Sequence, residues 1–250
     1  MPEGVPLADD EVAAIERATL QAVSPERVEA LPGWLLPFDH GTVGRAKSAV
    51  PLSHAAPDLA AIDEILNRYR AAGLPPVLRL PVLPSFQAFT TELQRRGARC
   101  DAPMLTQVGS VAALLALPGE AGEVADAPSG AWMAMYLGPG LDPVDGRHRA
   151  RALASAAGTA FVGVEEGGAM RACGAASLTR GWLGVHGMRT ELAWRGHGLA
   201  GRVLKAMGLV ARRQGIARVF LQVDAANAPA LALYRRAGLQ TAWAYAYWRF

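Results

Sequence analysis

A glycine-rich stretch that begins with an arginine stands directly before a helical pattern in the last quarter of the chain. It is Arg195-Gly196-His197-Gly198-Leu199-Ala200-Gly201, and the helical pattern continues from Arg202 to Val210. The first N–H groups of a helix have no partner within the helix, and the positive end of its dipole lies there, so a glycine turn at this place suits a phosphate. A tight surface turn is the alternative, since glycine-rich turns are common. The stretch predicts a site for a phosphorylated cofactor.

The spacing of the same glycines also matches the fingerprint of dinucleotide-binding proteins. Gly196-x-Gly198-x-x-Gly201 matches it, and Asp224 ends the next predicted strand, where a ribose-binding acid is expected. A doubly wound dinucleotide fold, however, needs this turn after its first strand, and only about fifty residues follow it here. The strand before the turn also ends in the polar pair Thr190-Glu191. A dinucleotide-binding protein is therefore the less favoured interpretation.

Two motifs together resemble the GNAT N-acetyltransferase superfamily more closely. Its phosphate signature, Arg/Gln-x-x-Gly-x-Gly/Ala, is met by Arg195-x-x-Gly198-x-Ala200. At the spacing typical of the family follow Leu221-Gln222-Val223, Asn227, Tyr234 and Ala237-Gly238-Leu239. The chain departs from the common pattern at Leu192, where proline is frequent, and at Glu191, where aspartate is frequent. The resemblance covers about Gly119 to Phe250, and the preceding part resembles the degenerate N-terminal half of tandem GNAT proteins.

The resemblance implies acetyl-CoA as the co-substrate and assigns residues to it. Backbone groups of Met188 and Thr190 are expected to pair with the pantetheine amides, at a point where their strand diverges from its neighbour. The N–H groups of the glycine turn are expected to hold the pyrophosphate. The predicted cofactor-binding residues are Met188, Thr190, Arg195, Gly196, His197, Gly198, Leu199, Ala200, Gly201, Asn227 and Tyr234. For Gly201, the alternative to ligand access is a role in helix packing. Asn227 can also cap the helix that begins at Ala228.

Acetyl transfer to an amine needs a neutral amine, a polarised thioester carbonyl and a proton for the departing thiolate. Tyr234 matches the proton donor of the family. The alternative is that Tyr234 is a core aromatic residue on the helix face that it shares with Leu231. His186 is the candidate general base, because it lies two residues before Met188 and is expected to share its face of the strand. A buried histidine paired with a neighbour, or a relay of water molecules, remains an alternative to this base.

The apolar periodicity predicts strands and helices in both halves of the chain. In the first half it predicts a helix over Asp9 to Leu31, two strands at Gly33 to Phe38 and Val43 to Lys47, and a proline-rich loop from Pro51 to Pro57. Further helices are predicted at 59–73 and 86–96, with strands at 77–80 and 104–108. A proline-rich loop suits phosphate binding poorly, because proline lacks an N–H donor.

The second half repeats this element order. Predicted strands lie at 123–124, 161–164, 170–177, 183–190, 219–223 and 243–250, and predicted helices at 132–137, 148–157, 199–214 and 228–237. The segment from Gly73 to Gly97 corresponds to that from Gly215 to Gly238, which indicates an internal pseudo-repeat, with chance similarity as the alternative. An acceptor pocket is expected within Ala131 to Ala157, and the composition of Pro128 to Asp145 favours a partly apolar one.

Composition limits the partners and the compartment. The chain has 250 residues, of which 51% are hydrophobic and 19% charged, as in globular proteins. No apolar run approaches the roughly 20 residues of a membrane span, and the first four residues lack a signal-peptide pattern, which predicts a cytoplasmic protein without a membrane partner. Cys100 and Cys173, without a C-x-x-C or H-x-x-x-H pattern, predict neither a disulfide nor a metal site. From Arg195 to Phe250 there are nine Lys or Arg and one acid, which favours an anionic ligand; nucleic acid is the less favoured one.

The sequence thus predicts an α/β protein of two GNAT-like halves, each a mixed central sheet flanked by helices. The expected boundaries are 1–118 for a degenerate N-terminal domain and 119–250 for the acetyltransferase domain. The predicted function is transfer of acetyl from acetyl-CoA to a primary amine of a small molecule or peptide, in a monomer or homodimer and without a metal. A non-catalytic acyl-CoA sensor or interaction module is the alternative.

Overall fold

The computed structural model of the protein describes residues 5–138 and 140–250. Its helices are α1 (Asp9–Val23), α2 (Ala61–Ala71), α3 (Gln87–Arg95), α4 (Val111–Leu115), α5 (Gly130–Ala134), α6 (Pro143–Ser155), α7 (Leu199–Arg213) and α8 (Ala228–Arg236). Its strands are β1 (Arg27–Leu31), β2 (Trp34–Phe38), β3 (Val50–Pro51), β4 (Val77–Pro81), β5 (Arg99–Cys100), β6 (Met104–Ser110), β7 (Glu123–Ala125), β8 (Thr159–Glu166), β9 (Ala169–Thr179), β10 (Trp182–Thr190), β11 (Arg218–Asp224) and β12 (Gln240–Arg249). The first four residues, which lack a signal-peptide pattern, and Pro139 lie outside the described residues.

A nine-stranded mixed sheet forms the centre of the fold. Its order is β4-β12-β6-β11-β10-β9-β8-β7, with β5 beside the far end of β12. Among its strand pairs in the described residues, β10 and β11 are parallel and the others antiparallel. A parallel pair needs a crossover, and α7 supplies it. The predicted α/β fold with a central mixed sheet flanked by helices is confirmed.

Helices cover both faces of this sheet. On one face, called the α7 face here, Leu183, Val185 and Leu221 pack against α7 and α8. On the other, called the α1 face, Phe220, Trp243 and Tyr245 pack against Val12 and Ile15 of α1. Helices α5 and α6 lie on the α1 face too, where Trp132 of α5, Tyr136 just after it and Leu153 of α6 join Phe161 and Cys173 in one cluster. None of the helices in the described ranges is long and apolar enough to cross a bilayer.

The large sheet takes strands from both sides of the predicted boundary at 118/119. Strand β6 precedes that boundary, yet it pairs along its whole length with β11 and also with β12. Strand β4 likewise pairs with β12. A second sheet, of β1, β2 and β3, comes from the N-terminal part alone. The boundary stays a prediction, and the two parts of the chain share a sheet.

Two predicted elements of the N-terminal part are wrong. The helix predicted over Asp9 to Leu31 ends at Val23, where Ser24 takes a left-handed conformation with φ of 43° that stops a helix, and Arg27–Leu31 is a strand. The strand predicted at Val43 to Lys47 is a 3-10 helix at Gly44–Lys47. Glycine at its start weakens a strand, and the charged Arg45 and Lys47 give no clean apolar alternation. This short helix is important for the site, because it carries Arg45.

Candidate active site

The two parallel strands at the centre of the sheet diverge. Strands β10 and β11 pair from Trp182 opposite Arg218 to Val185 opposite Leu221. Beyond this point β10 runs on to Thr190 without β11 as a partner, although it keeps its pairing with β9. Met188 and Thr190 therefore lie on a strand edge that faces an opening in the sheet. The expected divergence at these residues is present.

The glycine turn presents a row of free backbone donors. Gly196 and Gly198 have φ angles of +84° and +78°, which residues other than glycine rarely adopt. Helix α7 begins directly after them. In the described part of the chain, the N–H groups from Gly196 to Ala200 donate to no protein acceptor. The turn is exposed up to Gly198, and α7 has no acid in its first turn. This arrangement can bind a phosphate through backbone donors and the helix dipole.

Gly201 is in the first turn of α7, and its surroundings decide between two roles. A Cβ atom placed there would have no heavy atom within 4 Å, so close helix packing does not require glycine at this position. Its φ is not in the left-handed region, so the backbone does not require glycine either. What remains is open space beside the free N–H groups, which suits close approach of a ligand.

Two side chains of the turn, Arg195 and His197, point to solvent. His197 Nδ1 lies 3.1 Å from the carbonyl oxygen of Arg195, and its ring stands 5.8 Å from the ring of Trp194. In the described residues, no carboxylate lies within 4 Å of Arg195. Arg195 can thus add positive charge at the glycine turn, and His197 a hydrogen-bond donor.

Tyr234 lies on the short helix α8, which follows β11. Its ring is buried in the core on the α7 face, and its side chain is 7% exposed. Its hydroxyl makes no hydrogen bond within residues 5–138 and 140–250. Burial raises the pKa of Tyr234 to about 12, against the opposing effect of the positive charge of Arg189 on β10. The phenol therefore stays protonated at neutral pH and can donate its proton.

Asn227 caps α8. Its side-chain Oδ1 accepts a hydrogen bond of 3.2 Å from the backbone N–H of Ala230, as predicted for a cap. We expect Asn227→Ala to lower the free energy of unfolding by about 1 kcal/mol, while Asn227→Ser keeps most of it, because serine also caps helices. Thermal unfolding measures this effect. If Asn227 also binds acetyl-CoA, both variants lose affinity in a calorimetric titration; a loss in neither assigns the residue to capping alone.

His186 is buried on the α1 face and does not share a face with Met188. Strand β10 has a bulge between His186 and Arg189, where Gly187 takes φ of +59°, and Met188 packs against the core on the α7 face. The bulge breaks the alternation of side chains, so the prediction of a shared face is wrong. Residue 187 has no room for a side chain, because a Cβ atom there would stand 2.2 Å from the hydroxyl oxygen of Tyr136.

The environment of His186 is unfavourable for a general base. Its Nε2 lies 2.9 Å from Ser177 Oγ, and the side chain is 3% exposed. Burial, and then the positive charge of Arg45, lowers the pKa of His186 to about 3. An imidazole with this pKa holds a proton too weakly to take one from an ammonium group at neutral pH. This placement gives no support to the predicted base.

Sequence reasoning missed two arginines beside the opening, Arg189 and Arg45. Arg189 lies on β10 directly after Met188, with its guanidinium 5.3 Å from the centre of the Tyr136 ring. Arg45 comes from the 3-10 helix of the N-terminal part, and its Nη1 donates a 2.8 Å hydrogen bond to Gln222 Oε1 on β11. The position of Arg189 within the strand could have drawn attention to it. No local signal links Arg45 to a residue so distant in sequence.

A family model described as "Probable histone acetyltransferase Rv0428c C-terminal" matches residues 10–248. The chain belongs to this family. The match of the Rv0428c C-terminal family model includes α1, the glycine turn and the closing strand, so it spans both parts of the chain. No curated protein matches the sequence.

Solved structures share the fold of this member of the Rv0428c C-terminal family. A GCN5-related N-acetyltransferase from Kribbella flavida is 19% identical with a TM-score of 0.69, over 97% of this chain and 96% of that one. A tandem GNAT protein from the clavulanic acid biosynthesis pathway is 18% identical with a TM-score of 0.58, over 98% and 97%. A GNAT-family acetyltransferase from Colwellia psychrerythraea is 13% identical with a TM-score of 0.53, over 99% and 98%. The fold is that of the GNAT acetyltransferases.

Proposed function

We propose that this protein is an N-acetyltransferase that moves acetyl from acetyl-CoA to a primary amine of a small molecule or peptide. One observation carries the proposal. Strand β10 diverges from β11 after Val185, and the glycine turn with its free N–H groups follows the unpaired part of β10 along the chain. Tyr234 is close enough to Arg189 of this unpaired part for that charge to act on its pKa. The acetyltransferase description of the family model supports the same reaction class.

The binding roles follow from the donors that the chain presents. The backbone N–H groups of Gly196 to Ala200 bind the pyrophosphate of acetyl-CoA, and Gly201 keeps its approach open. Arg195 adds charge and His197 a hydrogen-bond donor at the same place. The strand edge at Met188 and Thr190 pairs with the pantetheine amides, in the manner of an added strand. When bound, acetyl-CoA supplies a thioester that an amine can attack.

Transfer requires one bond to form and one to break. The amine nitrogen attacks the thioester carbonyl, the new C–N bond forms, and the C–S bond breaks. Tyr234 donates its phenolic proton to the departing sulfur, the proton lost by the amine passes to water, and the Tyr234 phenolate regains a proton from water. The backbone N–H of Met188 polarises the carbonyl. His186 does not act as the base in this scheme; it fills the α1 face beside Ser177.

We further propose that residues 1–118 form a degenerate half that does not bind acetyl-CoA. In this half the loop from Pro51 to Pro57 stands where the other half has its glycine turn, and α2 begins only at Ala61. Likeness along the whole chain to a protein described as a tandem GNAT protein supports a two-part organisation. We propose a cytoplasmic monomer or homodimer without a nucleic-acid or membrane partner.

Thiol release tests the function directly. The full chain is incubated with acetyl-CoA and a panel of primary amines, free thiol is followed with a chromogenic disulfide, and acetyl-CoA and NAD binding are measured by calorimetry. We expect acetyl-CoA binding and amine-dependent thiol release. Binding of NAD without CoA would refute the proposal. Acetyl-CoA binding without turnover on any amine would instead identify an acyl-CoA sensor or interaction module.

A further inference from the structure

The α1 face of the opening has a polar lining that the acetyl-CoA chemistry does not use. Gln222 is the first residue of β11 beyond the last pair with β10, and it lies between Leu221 and Val223, whose side chains belong to the opposite face. Its Nε2 lies 3.5 Å from Thr19 Oγ1 of α1, which places the Gln222 side chain on the α1 face. The amine must reach the opening near this lining if acetyl-CoA occupies the side of the glycine turn.

Two arginines stand at this lining without an acid partner. Arg45 donates to Gln222 Oε1 at 2.8 Å, and Arg189 stacks against Tyr136 on the same face. Across the described ranges, neither guanidinium has a carboxylate within 4 Å, whereas ten other arginines form salt bridges. Both side chains are half-buried, and Arg189 Nε is a buried donor with no partner in these ranges. Asp145 is within electrostatic range of Arg189, but its carboxylate is hydrogen-bonded to Arg149 and Thr42. A ligand carboxylate in direct contact would offset the cost of half-burying the two guanidinium groups.

Two further buried polar atoms near Gln222 lack partners. Thr106 lies directly opposite Gln222 in the β6–β11 register, and its Oγ1 makes no hydrogen bond within residues 5–138 and 140–250. Nδ1 of His186 also makes no hydrogen bond in these ranges, and His186 directly follows Val185, the last β10 residue that pairs with β11. Unsatisfied buried polar atoms are uncommon in folded proteins, and each one calls for an explanation such as a bound ligand or water. These two atoms and the two arginines are on the α1 face of the sheet.

We propose that the amine acceptor carries a carboxylate, and that Arg45 and Arg189 bind this group on the α1 face of the opening. The inference rests on the proposed acetyl transfer and names its substrate class. Guanidinium groups match a carboxylate geometrically and by charge. Arg45 is then a contribution of the N-terminal part of the chain to acceptor specificity.

The same two charges help the reaction in another way. A nearby positive charge disfavours the protonated form of an amine and so lowers its pKa. With one carboxylate bound, the two guanidinium groups leave a net charge of +1, so an ammonium group held at this site loses its proton to water more readily than in free solution. This effect explains how the site works without a strong general base at His186.

Matched acceptors and matched variants test the substrate class. Amino acids and their carboxamides, which differ only in the carboxylate, are compared by kcat/KM for thiol release in the full chain. We expect the wild type to prefer the acid by about 10- to 100-fold, the range of a hydrogen bond to a charged group. Arg45→Gln and Arg189→Gln each lower this preference by about tenfold, while Arg45→Lys retains part of it. Arg213→Gln, at the exposed end of α7, leaves it unchanged.

Several outcomes contradict the inference. Equal use of acids and amides by the wild type refutes it, and so do variants with an unchanged preference. If only a phosphorylated amine is turned over faster, the arginines bind phosphate instead of a carboxylate. If no amine is acetylated, the acetyl-transfer proposal fails. The carboxylate subsite is still tested by calorimetric binding of the N-acetylated acid, compared with its amide, to wild type and Arg45→Gln. Thermal unfolding of each variant separates loss of binding from loss of folding.

Discussion

Tyr234→Phe is expected to lower kcat for thiol release by about 100-fold or more, within the range that a general acid contributes. The phenylalanine ring fills the same place in the core on the α7 face, so folding is preserved. The wild-type hydroxyl makes no hydrogen bond in the described part of the chain, so its removal leaves no buried partner unpaired. Acetyl-CoA affinity, measured by calorimetry, should stay nearly constant. The effect thus appears in kcat, through loss of the proton for the departing thiolate.

The pH profile and a second tyrosine give the controls. Because burial raises the pKa of Tyr234 to about 12, the phenol stays protonated, and we expect the wild-type rate to show no alkaline loss from this residue up to about pH 10. Tyr69→Phe removes another buried hydroxyl, which donates a 2.8 Å hydrogen bond to the carbonyl of Pro37. It should lower stability without lowering kcat. Full activity of Tyr234→Phe would assign the proton to water.

The glycine turn and its helix could be predicted because their signals are local. Glycines at 196 and 198, followed by helical periodicity, fix both the left-handed turn and the start of α7 within a few residues. The strand β11 and the cap at Asn227 are equally local, since each depends on neighbours a few positions away. Such features need no knowledge of the tertiary structure.

The parts that could not be predicted depend on distant contacts. Strand β6 lies between β11 and β12 in the sheet, although it is more than a hundred residues from either along the chain. Its own sequence does not indicate with which strands it pairs. At the bulge, the Tyr136 hydroxyl donates to the Gly187 carbonyl at 2.5 Å and occupies the space that a Cβ on residue 187 would need. A glycine within a strand is itself a local signal for a bulge, so the prediction for His186 is wrong because it treats Gly187 as an ordinary strand position. The contact with Tyr136 is the part that the sequence does not show.

The acceptor side shows the same limit. Arg45 belongs to a short helix that the sequence predicts as a strand, and its approach to Gln222 depends on how the N-terminal part packs on the sheet. The stretch from Pro128 to Asp145 is expected from its composition to line a partly apolar pocket. Its Trp132 and Tyr136 are instead fully buried, with their polar atoms bonded to backbone carbonyls, so they support the sheet from the α1 face. The pocket itself stays a prediction.

Gly201→Glu is expected to weaken acetyl-CoA binding by at least about 100-fold, which corresponds to about 2.7 kcal/mol. The new carboxylate would stand in the first turn of α7, beside the N–H groups that are proposed to bind the pyrophosphate. Like charges a few ångströms apart near a protein surface repel by several kcal/mol. Calorimetric titration with acetyl-CoA measures the loss. Gly130→Glu is the control for a glutamate in the first turn of a helix, α5, where a Cβ atom would likewise have no heavy atom within 4 Å. Because Gly201 is buried and Gly130 exposed, thermal unfolding of both variants separates lost binding from lost stability.

Gly201→Ala separates a binding role from a structural one. Alanine favours a helix over glycine by up to about 1 kcal/mol, and its methyl group meets no protein atom within 4 Å here, so thermal stability should rise. The same methyl group enters the space through which a pyrophosphate approaches the free N–H groups, so acetyl-CoA affinity should fall, by about tenfold if the contact costs about 1.4 kcal/mol. Stability and affinity then move in opposite directions. A variant in which both rise, or in which affinity is unchanged, would place the phosphate elsewhere than at this turn.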